Sequence, residues 1–137
     1  MRWPILLDTC AMIWITNGDP ISPEAERALG EMAGHPRGVL VSPISAWEVG
    51  LLAARGRFRA GQDPADWFHG LVDRGFALAD LTPRIFVASS FLPDSRLRDP
   101  ADRIVVATAR TFGYRIMTRD RLILGFAAEG HAQAIAC

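Results

Sequence analysis

Short apolar runs alternate with helical apolar stripes along this chain. The runs are mostly continuous, which is typical of parallel strands that are buried on both faces. The predicted strands are residues 4–7, 38–41, 76–78, 115–118 and 132–137. Because strand and helix patterns alternate nearly throughout, the sequence predicts an α/β fold, with a mainly parallel central sheet of about four to five strands flanked by helices.

Cap residues and prolines mark the helix starts. Ser22, Asp63 and Thr82 each stand directly before a proline, the arrangement of an N-cap followed by the first helical position. The predicted helices are residues 11–16, 23–33, 44–55, 64–72, 83–89 and 99–112, with a last helix after Asp120 and a loop at 92–98. No repeat or linker interrupts the 137 residues, so the sequence predicts one domain, 1–137.

The helix that begins near Asp99 carries two carboxylates on one face. Asp99 stands at the N-cap position before Pro100, and Asp102 lies three residues further along. Residues three apart share a helix face. The pair is either a capping device at the positive end of the helix or part of a functional site.

Three further acids stand where a site is expected. Asp8 and Asp120 each follow an apolar strand, and Glu48 lies within the apolar stripe of its helix. Each acid also has a structural interpretation, since Asp8 and Asp120 could cap helices and Glu48 could pair with an arginine such as Arg55. Ligand sites of parallel sheets lie at the carboxyl ends of the strands. We therefore expect the acids to converge at that edge.

Composition narrows the possible functions. The chain carries no net charge and so has no overall basic field, and all fifteen of its basic residues are arginine. Cys10 and Cys137 form no paired motif, which argues against a disulfide scaffold and a zinc site. No apolar run is long enough for a transmembrane helix, and the start lacks the apolar region of a signal peptide. We expect a cytoplasmic protein without membrane contact.

Converging carboxylates repel each other unless a cation is bound. Oxygen ligands without histidine or cysteine select Mg²⁺ or Mn²⁺, which keep water and accept phosphate oxygens as further ligands. Such an ion activates water and offsets charge on phosphate. No residue is placed by the sequence as a covalent nucleophile. The residues therefore predict metal-assisted phosphodiester hydrolysis.

Four segments together resemble PIN-domain proteins and, more closely, the VapC toxins of bacterial toxin–antitoxin pairs. The resemblance covers nearly the whole chain, in order and at matching spacing. The segments are Leu6-Leu7-Asp8-Thr9, Ser45-Ala46-Trp47-Glu48-Val49, Arg98-Asp99-Pro100-Ala101-Asp102-Arg103 and Met117-Thr118-Arg119-Asp120. The resemblance implies a Mg²⁺- or Mn²⁺-dependent endoribonuclease toxin that a VapB-like antitoxin holds inactive.

Carried onto this chain, the resemblance assigns the catalytic and metal-binding acids. These are Asp8, Glu48, Asp102 and Asp120. Asp99 belongs to an Arg-Asp-Pro element of one subgroup and is a ligand, a cap or both. Thr9 and Thr118 match hydroxyl positions that support the acids. Cys10 departs from the family pattern, in which a polar residue or histidine is common, and we expect no loss of activity from it.

The resemblance also implies partners. These are an RNA substrate, a VapB-like antitoxin and a second copy of the chain, as a homodimer or as a heterotetramer or larger assembly with antitoxin. Trp14, Trp47, Trp67 and the helix from Asp63 offer apolar surface for a dimer. Four arginines flank the acids, and we expect some of them to bind RNA phosphates: Arg98, Arg103, Arg119 and Arg121.

Other α/β functions fit the residues less well. A phosphatase of the haloacid dehalogenase type needs a second aspartate where Cys10 stands, and a receiver domain needs a lysine, which this chain lacks. Dinucleotide binding needs a glycine-rich turn after the first strand. A non-catalytic PIN-like module that binds RNA or protein remains as the alternative, and cleavage of RNA with and without a chelator separates it from a nuclease.

Overall fold

The computed structural model describes residues 3–93 and 96–137. Met1 and Arg2 of the predicted domain, and Asp94 and Ser95 of the predicted loop 92–98, lie outside the described residues. The elements run, in chain order, β1 (Ile5–Leu7), α1 (Thr9–Thr16), α2 (Pro23–Met32), β2 (Val39–Val41), α3 (Pro43–Ala54), α4 (Pro64–Asp73), β3 (Ala77–Leu78), α5 (Pro83–Ser89), α6 (Pro100–Phe112), β4 (Arg115–Thr118), α7 (Arg121–Ala128) and β5 (Gln133–Ala136).

The helix boundaries follow from local chemistry. The helices α2 to α6 begin with a proline after a capping residue, because proline needs no amide partner there and its φ suits the first turn. Helix α6 ends at Gly113, which has φ 77° and gives the left-handed residue that closes a helix without a Cβ clash. Helix α1 begins at Thr9, two residues before the predicted start, because the Asp8 side chain caps it.

The strands form one parallel sheet in the order β3-β2-β1-β4-β5. In its centre Leu6 lies opposite Leu40 of β2 and Ile116 of β4. The predicted α/β fold with a parallel sheet is confirmed. The chain builds outward from β1 through β2 to β3, then crosses to the other side of β1 for β4 and β5. A crevice therefore opens between the carboxyl ends of β1 and β4.

Two apolar layers cover the sheet. Ile5 and Leu7 pack with buried residues of α1, α2, α3 and α4 on one face. Leu6 packs with α6 and α7 on the other face, and α5 packs outside α6. Helix α3 also contacts α6, so the two layers meet at the edge where Glu48 and Asp102 lie. Within residues 3–93 and 96–137, no helix is both long and apolar enough to cross a membrane.

Candidate functional site

A cavity of about 340 Å³ lies at the crevice between β1 and β4. Its carboxylates come from four separate parts of the chain: the ends of β1 and β4, helix α3 and the start of α6. The lining residues are Asp8, Thr9, Cys10, Trp14, Glu48, Asp99, Asp102, Arg119 and Asp120. The structure thus brings together all five acids that the sequence singled out.

Asp8 is buried and held from two sides. Its Oδ1 accepts the backbone amide of Ala11 at 2.8 Å, and its Oδ2 accepts the Thr118 hydroxyl. The Thr118 oxygen in turn accepts the Asp120 amide at 2.9 Å. Burial raises the pKa of Asp8 above its ordinary value, against the opposing effect of the Thr118 and Ala11 hydrogen bonds. The ends of β1 and β4 are thereby joined through one hydroxyl.

Glu48 is held by a chain of hydroxyls. The Thr9 hydroxyl donates to Glu48 Oε1, and the Thr9 and Ser45 oxygens are 2.8 Å apart. A hydroxyl has one proton to donate, so Ser45 is the donor to Thr9. Burial raises the pKa of Glu48, the Thr9 hydrogen bond lowers it, and the charges of Asp99 and Asp8 raise it further.

Asp99 and Asp102 lie in the first turn of α6. Asp99 is exposed and caps the helix, since its Oδ1 accepts the Asp102 amide at 3.0 Å. Asp102 is half-buried and faces the other acids. Burial, together with the charges of Asp99, Asp120, Asp8 and Glu48, raises the pKa of Asp102 to about 7. In the absence of a cation, this carboxyl is therefore only partly ionised at neutral pH.

Asp120 caps the next helix in the same way. Its Oδ1 accepts the amides of Leu122 and Ile123 at 2.8 and 3.0 Å. The capping interpretation is thus confirmed for Asp8, Asp99 and Asp120, and it does not compete with a site, because each cap is made by one oxygen of a carboxylate that also lines the cavity.

Oxygen donors dominate the cavity. Five of its lining residues are carboxylates, and Arg119 is the cation among the lining residues that the structure describes. This donor set suits a hard divalent ion. Within the described ranges, no three His, Cys, Asp or Glu side chains stand close enough to form a ready-made metal group. A bound Mg²⁺ takes one or two carboxylates directly and keeps several waters, and the five carboxylates of the lining offer oxygens of the kind that it prefers.

Cys10 lines the cavity but is not activated. Burial and the charges of the surrounding acids, Asp8 foremost, raise the pKa of its thiol to about 11. A thiol is nucleophilic as the thiolate, so Cys10 is inert at neutral pH.

The four arginines that flank the acids have different surroundings. Arg119 lines the cavity. Arg98 and Arg121 are exposed and outside the lining, so they lie at most on its rim. Arg103 donates to the carbonyls of Ser89 and Leu97, which directs its guanidinium into the packing around the loop before α6.

The structure adds one residue to the cavity and one behind it. Trp14, which the sequence offers as apolar surface for a dimer, lines the cavity with Arg119 over its ring. Ser45 completes the hydroxyl chain to Glu48. Ser45 lies three residues before Glu48, on the same helix face, which was a usable signal. The position of Trp14 depends on the path of α1, and no pattern in the sequence indicates it.

Comparison with known proteins gives consistent results. A model of the PIN domain matches residues 5–128. Over 118 residues the chain is 30% identical to Ribonuclease VapC22 of Mycobacterium tuberculosis, and the match covers 85% of this chain and 87% of that protein.

Solved structures share the fold. A toxin–antitoxin complex from Klebsiella pneumoniae matches with a TM-score of 0.60 at 20% identity, over 96% of this chain and 95% of that chain. VapBC2 from Rickettsia felis, bound to a DNA fragment from its promoter, matches with a TM-score of 0.69 at 12% identity, over 97% and 98% of the two chains.

Proposed function

As this chain belongs to the PIN-domain family and to its VapC-type ribonucleases, we propose that it is a metal-dependent endoribonuclease toxin, inhibited by a VapB-like antitoxin. The observation that carries the proposal is the cavity at the crevice between β1 and β4, lined by five carboxylates. The chemistry is hydrolysis of RNA phosphodiester bonds.

The acids of the cavity supply the metal ligands in this proposal. Asp8, Glu48, Asp102 and Asp120 would hold Mg²⁺ or Mn²⁺, with Asp99 beside them. When bound, the ion lowers the pKa of water and offsets charge on the phosphate. Thr118 and Thr9 orient Asp8 and Glu48 by donating to one oxygen of each carboxylate. With these rotamers fixed, both carboxylates are oriented before the ion and the substrate bind.

The antitoxin inhibits this site most simply by bringing a cation to it. We expect an arginine or lysine of the antitoxin to lie near Asp8 and Asp120, with an apolar segment packed nearby. A structure of the complex, or cross-linking from these positions, checks the expectation. An antitoxin bound only at the opposite edge of the sheet would contradict it.

Cleavage of RNA by the purified chain tests the nuclease directly. RNA should be cut internally in Mn²⁺ or Mg²⁺ and left intact in chelator. The matched pair of variants is Asp8→Asn in the cavity and Asp73→Asn at the exposed end of α4. Activity should be lost in the first and kept in the second. RNA binding without cleavage under all metal conditions would favour the non-catalytic PIN-like module.

A further inference from the structure

Arg119 stands among carboxylates without pairing with them. It lies between Thr118 and Asp120 in sequence, and it lines the same cavity as the five acids. Within the described residues, none of those acids forms an ion pair with it. Its guanidinium carbon lies instead 4.1 Å from the centroid of the Trp14 ring, and its Nη2 donates to the Pro20 carbonyl at 2.6 Å.

This arrangement needs a physical cause, because a flexible cation beside several carboxylates is attracted to them. Trp14 supplies one cause, because the face of an aromatic ring attracts a guanidinium. Among the aromatic side chains, tryptophan attracts it most strongly. The Pro20 carbonyl supplies a second, as a hydrogen bond from a charged donor. With a further side-chain hydrogen bond between Arg119 and Cys137, they hold the guanidinium at the wall of the cavity.

The supporting surface is itself fixed. The Trp14 carbonyl accepts the Asp19 amide at 2.9 Å, which anchors the turn after α1. Two residues beyond Pro20, the Ser22 hydroxyl donates to the Ala136 carbonyl at 2.7 Å, and the Ser22 amide donates to the Cys137 carbonyl at 3.2 Å. The end of α1, the following loop and the end of β5 therefore form one surface under Arg119.

We propose that Trp14 is a positioning residue that holds Arg119 away from the carboxylates, so that Arg119 binds a phosphate of the RNA and the acids stay available to a divalent ion. This rests on the proposed function. A guanidinium that stacks by one face still directs its remaining N–H groups outward in its plane, where two of them match a phosphate.

Loss of the indole face has two consequences. Arg119 then turns to the acids of the same cavity, Asp8 and Asp120 among them, and competes there with the metal ion. It is also lost to the RNA. When Arg119 is also removed, nothing competes with the metal ion, but the phosphate contact is still missing. The second substitution should therefore restore metal affinity and leave RNA binding weak.

The test uses Trp14→Leu, which keeps apolar bulk without an aromatic face, Trp14→Phe, which keeps a face, Arg119→Ala, and the double variant Trp14→Leu/Arg119→Ala. Mn²⁺ affinity is measured without RNA, from the rise in melting temperature during a titration. In Trp14→Leu it should fall about 3- to 10-fold. It should return to the parent value in the double variant and remain near it in Trp14→Phe.

RNA provides the second measurement. At saturating Mn²⁺, KM should rise about 10-fold in Arg119→Ala and in the double variant, and by less in Trp14→Leu, where the ion displaces Arg119 from the acids, while kcat stays within about 3-fold. The salt slope of RNA binding should fall by about one in the two variants that lack Arg119. Trp14→Phe should restore KM.

Three results overturn the proposal: parent-like Mn²⁺ affinity in Trp14→Leu, a reduced affinity that removal of Arg119 does not restore, or an unchanged KM in Arg119→Ala. A parent chain that binds Mn²⁺ but cuts no RNA refutes the proposed nuclease, and the Mn²⁺ titration then still decides whether Trp14 restrains Arg119. A parent chain without any response to Mn²⁺ overturns both.

Discussion

The two edges of the sheet differ in what they bury. Of the six buried polar side chains in the described part of the chain, five lie at the carboxyl edge: Asp8, Thr9, Ser42, Ser45 and Thr118. Beside the starts of β2 and β3, at the amino edge, a cavity of about 530 Å³ is lined mainly by apolar groups such as Met32, Val39 and Phe76. An edge of this sheet can therefore be covered by apolar groups, and the fold does not require the buried polar groups of the carboxyl edge.

The difference indicates what each edge is for. Burial raises the pKa of Asp8, Glu48 and Asp102, which means that their ionised forms are disfavoured where they stand. Groups that cost stability are retained when the chemistry needs them. The apolar centre stabilises the fold, and the carboxyl edge gives up part of that stability for the clustered carboxylates of a ribonuclease site.

We expect the largest change in stability from a substitution in the core that leaves the site intact. Leu6 is fully buried in β1, and Leu6→Ala removes packing on the face that α6 and α7 cover. We expect the free energy of unfolding to fall by about 2–5 kcal/mol. Denaturant unfolding measures it. The control is Leu122→Ala, at a side chain that is 50% exposed, which should cost under about 1 kcal/mol.

The opposite pattern is expected for Asp8→Asn. Cleavage should fall about 100-fold or more, equivalent to about 2.7 kcal/mol of barrier. In chelator the melting temperature should equal or exceed that of the parent, because the raised pKa of Asp8 shows that burial outweighs its hydrogen bonds. Full cleavage together with a clear loss of stability would assign Asp8 a purely structural role.

A smaller change in stability is expected when either of two buried hydroxyls is removed. Thr118 donates to Asp8 and accepts the Asp120 amide, whereas Thr108 donates within α6 to the Ile104 carbonyl. We expect Thr118→Val to cost about 1–3 kcal/mol and to lower cleavage, since it leaves buried polar groups unpaired. Thr108→Val should cost less and leave cleavage unchanged. Equal losses in both variants would mean that the edge has no special dependence on its hydroxyls.

Local patterns predicted the fold and the convergence of the acids at one edge, for identifiable reasons. An apolar run that stops at Asp8, and an acid within the apolar stripe at Glu48, are visible in the sequence because strand ends and helix faces have fixed periods. Prolines after cap residues fixed most helix starts. The parallel sheet then brought the acids to one edge.

The contacts between distant side chains were not predictable. Thr9 donates to Glu48 across 39 residues, and Arg119 lies on Trp14 although the sequence places it beside Asp120. Arg103 flanks an acid in sequence but donates to backbone carbonyls. Which rotamer a long side chain adopts depends on neighbours from other elements, and spacing along the chain does not specify these.

Asp102 offers the most direct test that the carboxyl edge costs stability for the sake of a metal. Burial, together with the charges of the neighbouring acids, raises the pKa of its carboxyl from the ordinary value of 3.8 to about 7. Between those values the native state keeps a proton that the unfolded chain has released, so the free energy of unfolding falls as pH rises through this window. Asp102→Asn removes the part of that fall that Asp102 contributes, whereas Asp8 and Glu48, whose pKa values are also raised, keep theirs.

The measurement is the melting temperature of the parent and of Asp102→Asn in chelator at pH 5 and pH 8, and again with Mn²⁺ at pH 8. In chelator, the melting temperature of the variant relative to that of the parent should be about 3 °C or more higher at pH 8 than at pH 5. Mn²⁺ should then stabilise the parent and have much less effect on the variant, which should not cleave RNA. A variant less stable than the parent at pH 8 in chelator, with RNA cleavage intact, would contradict the account.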